Sequence, residues 1–526
     1  MNFFKNAAFI NQSFILGLGL ASTLLVSPTL GFSKVDESKL EVMEAYSKAP
    51  HEMAIFDHGV GSLYERLKMI ERAKESIELE YFIFDTSSSS RIFIQALAKK
   101  AKEGVKVRVL LDYFLIIPEV DVYHAHILKE AGIEVRYYNV ESIVKLLKYQ
   151  YRSHRKLLLV DGVEAMTGGR NIADEYFDLK TDFNFIDKDL LVKGPIVKNI
   201  KESFEVFWNH PLTSELNIEK AKELEARDLA IIQDQFSEMN ETDLGLEAIA
   251  SHDKLLKRNY KIYKNAKKKE VEKWEKAKKF LKETDEDRAL LQKVMELGQK
   301  MEVRTPKGVC ENVAFGADYP GYGSKYRKVK GLRKLVNKYM REAKSELIID
   351  SPYFIPDKES RSALNQAIEN KAHVRLLTNS LYSTDAIYVN AVFNSIASRW
   401  IKKGVETHIF KGEIPGNYPV LTNDIRKARF GTHTKSFAYD KKDFMIGTYN
   451  FDPRSTKFNA ELAVFCFDQP ELTKEMIADF NNKVASSHYL KTPKDLRKHK
   501  LDKITFGKKV LYYVIKPFAL LFRNYL

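Results

Sequence analysis

A chain of 526 residues is too long for one ordinary hydrophobic core and calls for at least two domains. Its 44% hydrophobic content is that of a globular protein, and its formal charge of +14 favours anionic partners: lipid headgroups, nucleic acid or a phosphate-bearing substrate. Only two cysteines occur, Cys310 and Cys466, so no disulfide framework or Cys-rich metal site is encoded, and two unpaired thiols is the expectation.

The first residues read as an export signal. Lys5 supplies positive charge, Phe14–Val26 is an apolar run, and the small residues Gly31 and Ser33 mark a cleavage point. The run is short against the roughly 20 apolar residues of a membrane span. Residues 1–33 are therefore a signal peptide or signal anchor, and the expected location is the periplasmic face or membrane of a bacterial envelope.

Residues 59–74 carry a helical pattern that leads into a strand from Ser76 to Phe84. A helix over Arg91–Lys102 ends at Gly104, and the strand Val105–Leu111 follows. A helix around Tyr123–Glu130 ends at Gly132, before the strand Ile133–Tyr138. This order implies a largely parallel, two-sided sheet. The second half repeats it: Ala343-Lys-Ser-Glu-Leu-Ile-Ile echoes Ala73-Lys-Glu-Ser-Ile-Glu-Leu, and Lys403-Gly-Val-Glu-Thr-His-Ile-Phe410 echoes Ala131-Gly-Ile-Glu-Val-Arg-Tyr-Tyr138. Two similar α/β lobes are expected, over residues 45–212 and 310–490.

Between them, residues 213–309 read as a Lys/Glu-rich helical insertion. Lys254–Lys282 holds thirteen Lys/Arg against three Glu, with Tyr260, Tyr263 and Trp274 interspersed. That pattern fits a solvated helical face whose aromatics pack on the body, or a basic surface for anionic lipid. Residues 491–526 form a basic, apolar tail, in which Pro517 argues against a continuous spanning helix. Docking on a lobe and interfacial membrane contact are equally good readings of it.

Each lobe carries one copy of a motif. His154-Arg-Lys156 runs through Leu-Leu-Leu-Val to Asp161-Gly162, and Asn171 stands seventeen residues after the His. His433-Thr-Lys435 runs to Asp440, with Asn450 again seventeen residues on. Residues i and i+2 of a strand share a face, so each His projects with its Lys, and Asp161-Gly162 reads as a tight hairpin turn. An imidazole beside an ammonium suits phosphate chemistry: the Lys neutralises phosphoryl oxygens, and the His attacks or moves protons.

Together with Gly168-Gly-Arg-Asn-Ile-Ala-Asp-Glu-Tyr-Phe177, Phe204-Glu-Val-Phe-Trp208, Ser351-Pro-Tyr-Phe-Ile-Pro356, Thr378-Asn-Ser-Leu381 with Thr384-Asp385, and Asn450-Phe-Asp-Pro-Arg-Ser455, the paired motifs resemble the phospholipase D superfamily, and most closely its bacterial cardiolipin synthase-like branch. The resemblance implies two lobes with mixed, mostly parallel sheets about a pseudo-twofold axis, the motifs meeting at the seam. It also implies a phosphohistidine intermediate, with His154 as nucleophile and His433 as acid/base. Lys156, Lys435, Asn171 and Asn450 would hold the phosphoryl oxygens, with Thr448 as a further hydroxyl donor.

Asp161 and Asp440 complete the catalytic motifs, although organising the hairpins is their more natural work. Glu461 fits a carboxylate that orients an active-site imidazole. In the first lobe Asp187 is its best counterpart and Asp189 the second choice. Two His and two Lys can supply nucleophile, acid and charge neutralisation with no cofactor and no metal. His124, His126, His252 and His499 are expected at the surface.

The expected activity is phosphatidyl transfer between phospholipids to give cardiolipin. Its alternatives are hydrolysis to phosphatidic acid and a metal-independent phosphodiesterase or nuclease. A non-catalytic scaffold ranks last, because both motifs are complete. Anionic phospholipid and a membrane surface are the expected partners, with nucleic acid less favoured.

Overall fold

The computed structural model describes residues 43–114, 119–140, 146–219 and 254–525. The expected signal segment, residues 1–33, and His252 lie outside them. Two nine-stranded mixed sheets form the body, as the repeat requires. The first sheet begins with β2 (His51–Phe56), β3 (Ser76–Tyr81), β4 (Lys106–Asp112) and β5 (Ile133–Tyr138), with the helices α1 (Gly59–Arg72), α2 (Ser88–Lys102) and α3 (Val122–Glu130) between them. Strands β3, β4 and β5 are parallel, and every other pair in this sheet is antiparallel. The hairpin of β6 (Leu157–Val160) and β7 (Glu164–Gly168) follows. Beyond it are β8 (Phe183–Ile186), β9 (Asp189–Lys193), α4 (Ile196–Trp208) and the short β10 (Thr213–Ser214).

The second sheet is built alike from β12 (Asn312–Ala317), β13 (Glu346–Asp350), β14 (His373–Asn379), β15 (Glu406–Phe410), the hairpin β17 (Ser436–Tyr439) and β18 (Asp443–Gly447), β19 (Leu462–Phe467) and β20 (Ser487–Leu490). The lobes also trade edges. The N-terminal β1 (Glu44–Ser47) pairs with β12 at the edge of the second sheet, whereas β11 (Lys307–Cys310) pairs with β2 at the edge of the first. A small parallel sheet of β8 with β16 (Arg429–Thr432) joins the lobes again. Between the sheets lies one shared apolar core. It brings Leu157, Leu190, Phe204 and Phe207 together with Phe315, Ile348, Phe444 and Val464.

Cys310 and Cys466 form a disulfide, against the expectation of two free thiols. The sequence hides the pairing because the two are 156 residues apart. They meet because β11 ends where β12 turns to pair with β19, so the bond staples the edge of one sheet to the other.

The helices α5 (Lys254–Leu281) and α6 (Asp285–Glu302) of the insertion pack on the first lobe. Gly298 permits close approach to α1, since a Cβ there would lie 2.3 Å from Tyr64 Cβ. Arg91 grips Asp287 at 2.7 Å, and the Trp274 ring meets Tyr123 and His126 edge-on. The side chains of Tyr260 and Tyr263 are outside the described residues. His124, expected at the surface, is buried: its Nδ1 lies 2.8 Å from the helix-capping Asp121, and its ring packs on Phe280. His499 is half-buried and hydrogen-bonds Asp502.

In the second lobe the outer helices include α7 (Gly331–Glu342), α8 (Lys358–Glu369), α9 (Ile387–Lys402) and α10 (Pro470–Ala485). The tail folds as α11 (Phe506–Leu521), which runs unbroken through Pro517. Pro517 is tolerated because it lies on the exposed side, where water can serve the carbonyl that loses its N–H partner. Among the described residues no helix is long and apolar enough to cross a membrane.

The staple should matter to stability. Cys310→Ser is expected to cost about 2–4 kcal/mol, as for a native bridge closing a long loop. The check is a lowered denaturant midpoint under non-reducing conditions, matched by reduced wild type.

Candidate active site

The two motif hairpins present their chemistry at the start of β6 and β17, where the lobes meet. Alternation sorts each motif into two faces. His154 and Lys156 turn toward the seam. Arg155, between them, points into the first lobe, where it pairs with buried Glu80 at 3.0 Å and stacks over Phe207. Both histidines are buried and anchored by backbone bonds to the opposite lobe: the His154 N–H donates to Ala460 O at 2.9 Å, and the His433 N–H to Ile186 O at 2.7 Å.

The orienting carboxylates cross the seam as well. Glu461, on the second lobe, holds Nδ1 of His154 at 2.9 Å. Asp187, on the first, holds Nδ1 of His433 at 2.6 Å. A carboxylate on Nδ1 fixes that nitrogen as the N–H and leaves Nε2 as the free base. Lys156 Nζ donates to His154 O at 2.7 Å, and Lys435 Nζ to His433 O at 2.5 Å. Each lysine thus curls back beside its own histidine.

Electrostatics follow from packing four cationic or ionisable bases in a buried seam. Burial pulls the His154 imidazole down to about 4 against the pull of Glu461, with Lys156 and Lys435 adding to the decrease. His433 is driven well below its ordinary value by burial, then by Lys435, Lys156 and His154. Burial also lowers the Lys156 ammonium to about 7, with Lys435 contributing. Burial raises Asp187 to about 6 despite Lys435 and Arg170. For Glu461 burial pushes upward too, but His154 and Lys156 more than offset it, and the net displacement is downward. Both imidazoles are neutral bases at neutral pH, in a site that an added anion would relieve.

Of the remaining expected residues, Asn171 and Asn450 stand beside the motifs. Asn171 Oδ1 accepts the Ile83 N–H, whereas Asn450 Oδ1 is buried without a protein partner. Thr448 is not available as a phosphate donor. Its hydroxyl gives its proton to Glu461 Oε2 at 2.6 Å and accepts the Leu462 N–H, and its side chain is fully buried. It positions Glu461 instead. Gly169, its counterpart, must be glycine because a Cβ there would sit 2.2 Å from Asp187 Oδ1.

Asp161 and Asp440 lie at the far ends of their strands, away from the histidines, and their grouping with the catalytic residues does not hold. Both adopt left-handed backbone, at φ 53° and 50°. The Asp161 carboxylate accepts the N–H groups of Lys74, Glu75 and Ser76, and Asp440 those of Lys344, Ser345 and Glu346. They clamp each hairpin turn to the neighbouring strand. Asp189 reaches no histidine either, being held at about 2, against burial, by Arg66 and Arg170.

The sequence pattern did not single out the residues that complete the site. Ser455 donates to Glu461 Oε1 at 2.7 Å, so that carboxylate is fully engaged. Phe82 lies 5.1 Å from the His154 ring, and Phe185 and Tyr176 flank His433 at 4.9 and 5.2 Å. Only Ser455, Phe185 and Tyr176 lie within or beside motif blocks, where their neighbours could have drawn notice.

Comparison with known proteins gives the same answer as the geometry. The family model described as "Cardiolipin synthase, PLD-like domain" matches residues 67–208 and 336–484. An uncharacterized protein of Helicobacter pylori J99 is 27% identical over 84% of this chain and 81% of its own. Cardiolipin synthase C of Escherichia coli K12 is 25% identical over 80% and 83%. In fold, phosphatidylserine synthase of Haemophilus influenzae Rd KW20 superposes with a TM-score of 0.58 at 12% identity, covering 90% of this chain and 95% of its own. The chain belongs to the cardiolipin synthase-like branch of the phospholipase D family and is an enzyme of its phosphatidyltransferase and phosphodiesterase class.

Proposed function

We propose that this protein moves a phosphatidyl group from one phospholipid to an alcohol on another, as cardiolipin synthases do, through a phosphohistidine on His154. The observation that carries the reading is the pair of buried imidazoles at one seam, each with a carboxylate on Nδ1 and a lysine alongside. His154 Nε2 attacks phosphorus while the bond to the leaving alcohol breaks, and His433 gives that alkoxide its proton. His433 then takes the proton of the acceptor hydroxyl, which attacks phosphorus and frees His154. His433 can hold its proton in the first step because the phosphodiester anion counters the lysine charges that otherwise suppress it. Lys156, Lys435 and Asn450 face the phosphoryl oxygens. Water as acceptor would make the same site a phospholipase D.

The disulfide supports the exported location, since such bonds persist in oxidising compartments. It fits the signal read in residues 1–33.

Purified protein given phosphatidylglycerol, with and without phosphatidylethanolamine, should yield cardiolipin; phosphatidic acid alone would show hydrolysis. Neither product would remove the lipid reading, and cleavage of single-stranded DNA in its place would install the nuclease.

A nitrophenyl phosphodiester, whose leaving group needs no acid, separates the histidines. His433→Ala should become labelled and stall, and His154→Ala should not label. The carboxylates should divide the same way. Glu461→Gln should slow labelling roughly 100-fold or more, the scale of losing an imidazole's support. Asp187→Asn should leave labelling by this substrate intact and slow release. Label trapped on His433 would reverse the assignment.

The pH profile should carry the mark of Lys156. Its ammonium is the charged form and loses its proton as pH rises through about 7, so kcat/KM should fall on the alkaline side near that value. Lys156→Arg, which cannot titrate in this range, should lower the rate yet flatten that limb. An unchanged limb in the variant would assign it to another group.

A further inference from the structure

The tail helix α11 is apolar on two sides. Its inner side packs Tyr512, Ile515 and Ala519 against the region of Ile355, Leu381 and Ile387. Its outer side leaves Phe506, Val510, Tyr513, Val514 and Leu521 exposed, Phe506 by 82% and Leu521 by 73%. Their spacing, four, seven, eight and fifteen residues from Phe506, makes a single stripe along the helix. Lys509 and Arg523 are exposed near it, and no acidic residue occurs between Lys503 and the C-terminus. An apolar stripe edged only by cations is matched in chemistry to an anionic lipid interface.

Both ends of the tail connect to the seam through chains of packed residues. Near its start, Lys508 Nζ reaches Tyr382 O at 3.4 Å, a carbonyl that Arg429 also holds. Arg429 stacks over Phe183, which meets Phe185 beside His433. At the other end, Asn524 O accepts from Lys457, and Tyr525 stacks on Phe458. Phe458 in turn packs on Tyr151, three residues before His154. The stripe therefore lies along the second lobe between the approaches to the two motifs.

We propose that the outer face of α11 docks on an anionic phospholipid surface and sets the bilayer plane at the mouth of the His154–His433 site. The inference rests on the lipid reading of that site and adds where the membrane sits. It also accounts for the helix being apolar on a second side although only the first is covered by protein.

The test uses the full chain with two probes. Vesicles of phosphatidylglycerol mixed with phosphatidylcholine, or of phosphatidylcholine alone, report binding by co-sedimentation. A water-soluble nitrophenyl phosphodiester reports the chemistry and the integrity of the fold. The wild type should sediment with the anionic vesicles, less so at high salt. The triple variant Phe506→Ser, Val514→Ser, Leu521→Ser should bind them roughly tenfold or more weakly. It should lose turnover of vesicle phospholipid in proportion while keeping turnover of the soluble substrate. Lys509→Glu with Arg523→Glu should remove the preference for anionic vesicles. Vesicle binding by the triple variant equal to wild type would overturn the proposal. So would a wild-type dimer that these substitutions dissociate without changing sedimentation, since the stripe would then be a subunit interface. Stripe-dependent binding without any lipid turnover would support the docking face and count against the assigned reaction alone.

Discussion

A neutral imidazole in a buried seam needs a carboxylate to set its tautomer, and here each imidazole finds that carboxylate on the other lobe. Glu461 reaches His154 and Asp187 reaches His433, both across the interface. Neither lobe alone therefore holds a complete histidine–carboxylate pair. A shift of one lobe against the other would break both pairs together and leave charge buried without its partner, which is costly. The accuracy of the lobe interface is the accuracy of the site.

The rest of the architecture reads as devices that hold this register. The histidine backbones bond to Ala460 and Ile186 of the facing lobe. Strand β8 pairs with β16, so the segments leading to Asp187 and His433 run side by side. The exchanged edge strands β1 and β11 and the Cys310–Cys466 bond tie the sheets at their far edges, and a shared apolar core fills the space between. At the hairpins, Asp161 and Asp440 each collect three backbone N–H groups from the adjacent strand. That contact fixes where each motif strand ends, and so the register in which its His and Lys emerge at the other end. The motif aspartates serve the seam through backbone placement.

The sequence made the lobes legible because they obey local rules: the strand of Ile133–Tyr138 after Gly132 and the helix ending before Gly104 follow from periodicity and turn chemistry. His154, Lys156, His433 and Lys435 were legible because their pattern occurs twice. Thr448 was misread for a reason that spacing cannot reveal: its hydroxyl was free on paper but is spent on Glu461 and Leu462. Exchange of β1 and β11, and hence the disulfide, depends on contacts between segments hundreds of residues apart, for which composition offers no sign. Pro517 was read against a spanning helix, and none of the described helices is long and apolar enough to span; the proline sits inside a shorter helix because its position is exposed.

The two half-sites are related but unequal, and the inequality has a physical origin. In the second lobe a long carboxylate, Glu461, is supported by Thr448 and Ser455 at 2.6 and 2.7 Å. In the first, the shorter Asp187 occupies the space that a side chain at residue 169 would need, so Gly169 stands where Thr448 stands opposite. Glu461 keeps its charge against burial because it receives hydroxyl bonds as well as the field of His154 and Lys156. Asp187 lacks a hydroxyl equivalent to Thr448, and burial lifts it to about 6. On the proposed mechanism, a carboxylate held below its ordinary value suits the imidazole that would carry positive charge as a phosphohistidine. A more readily protonated one suits the imidazole that would pass a proton in both directions. The asymmetry of the carboxylates therefore favours the proposed division of labour, with attack by His154 and proton transfer by His433.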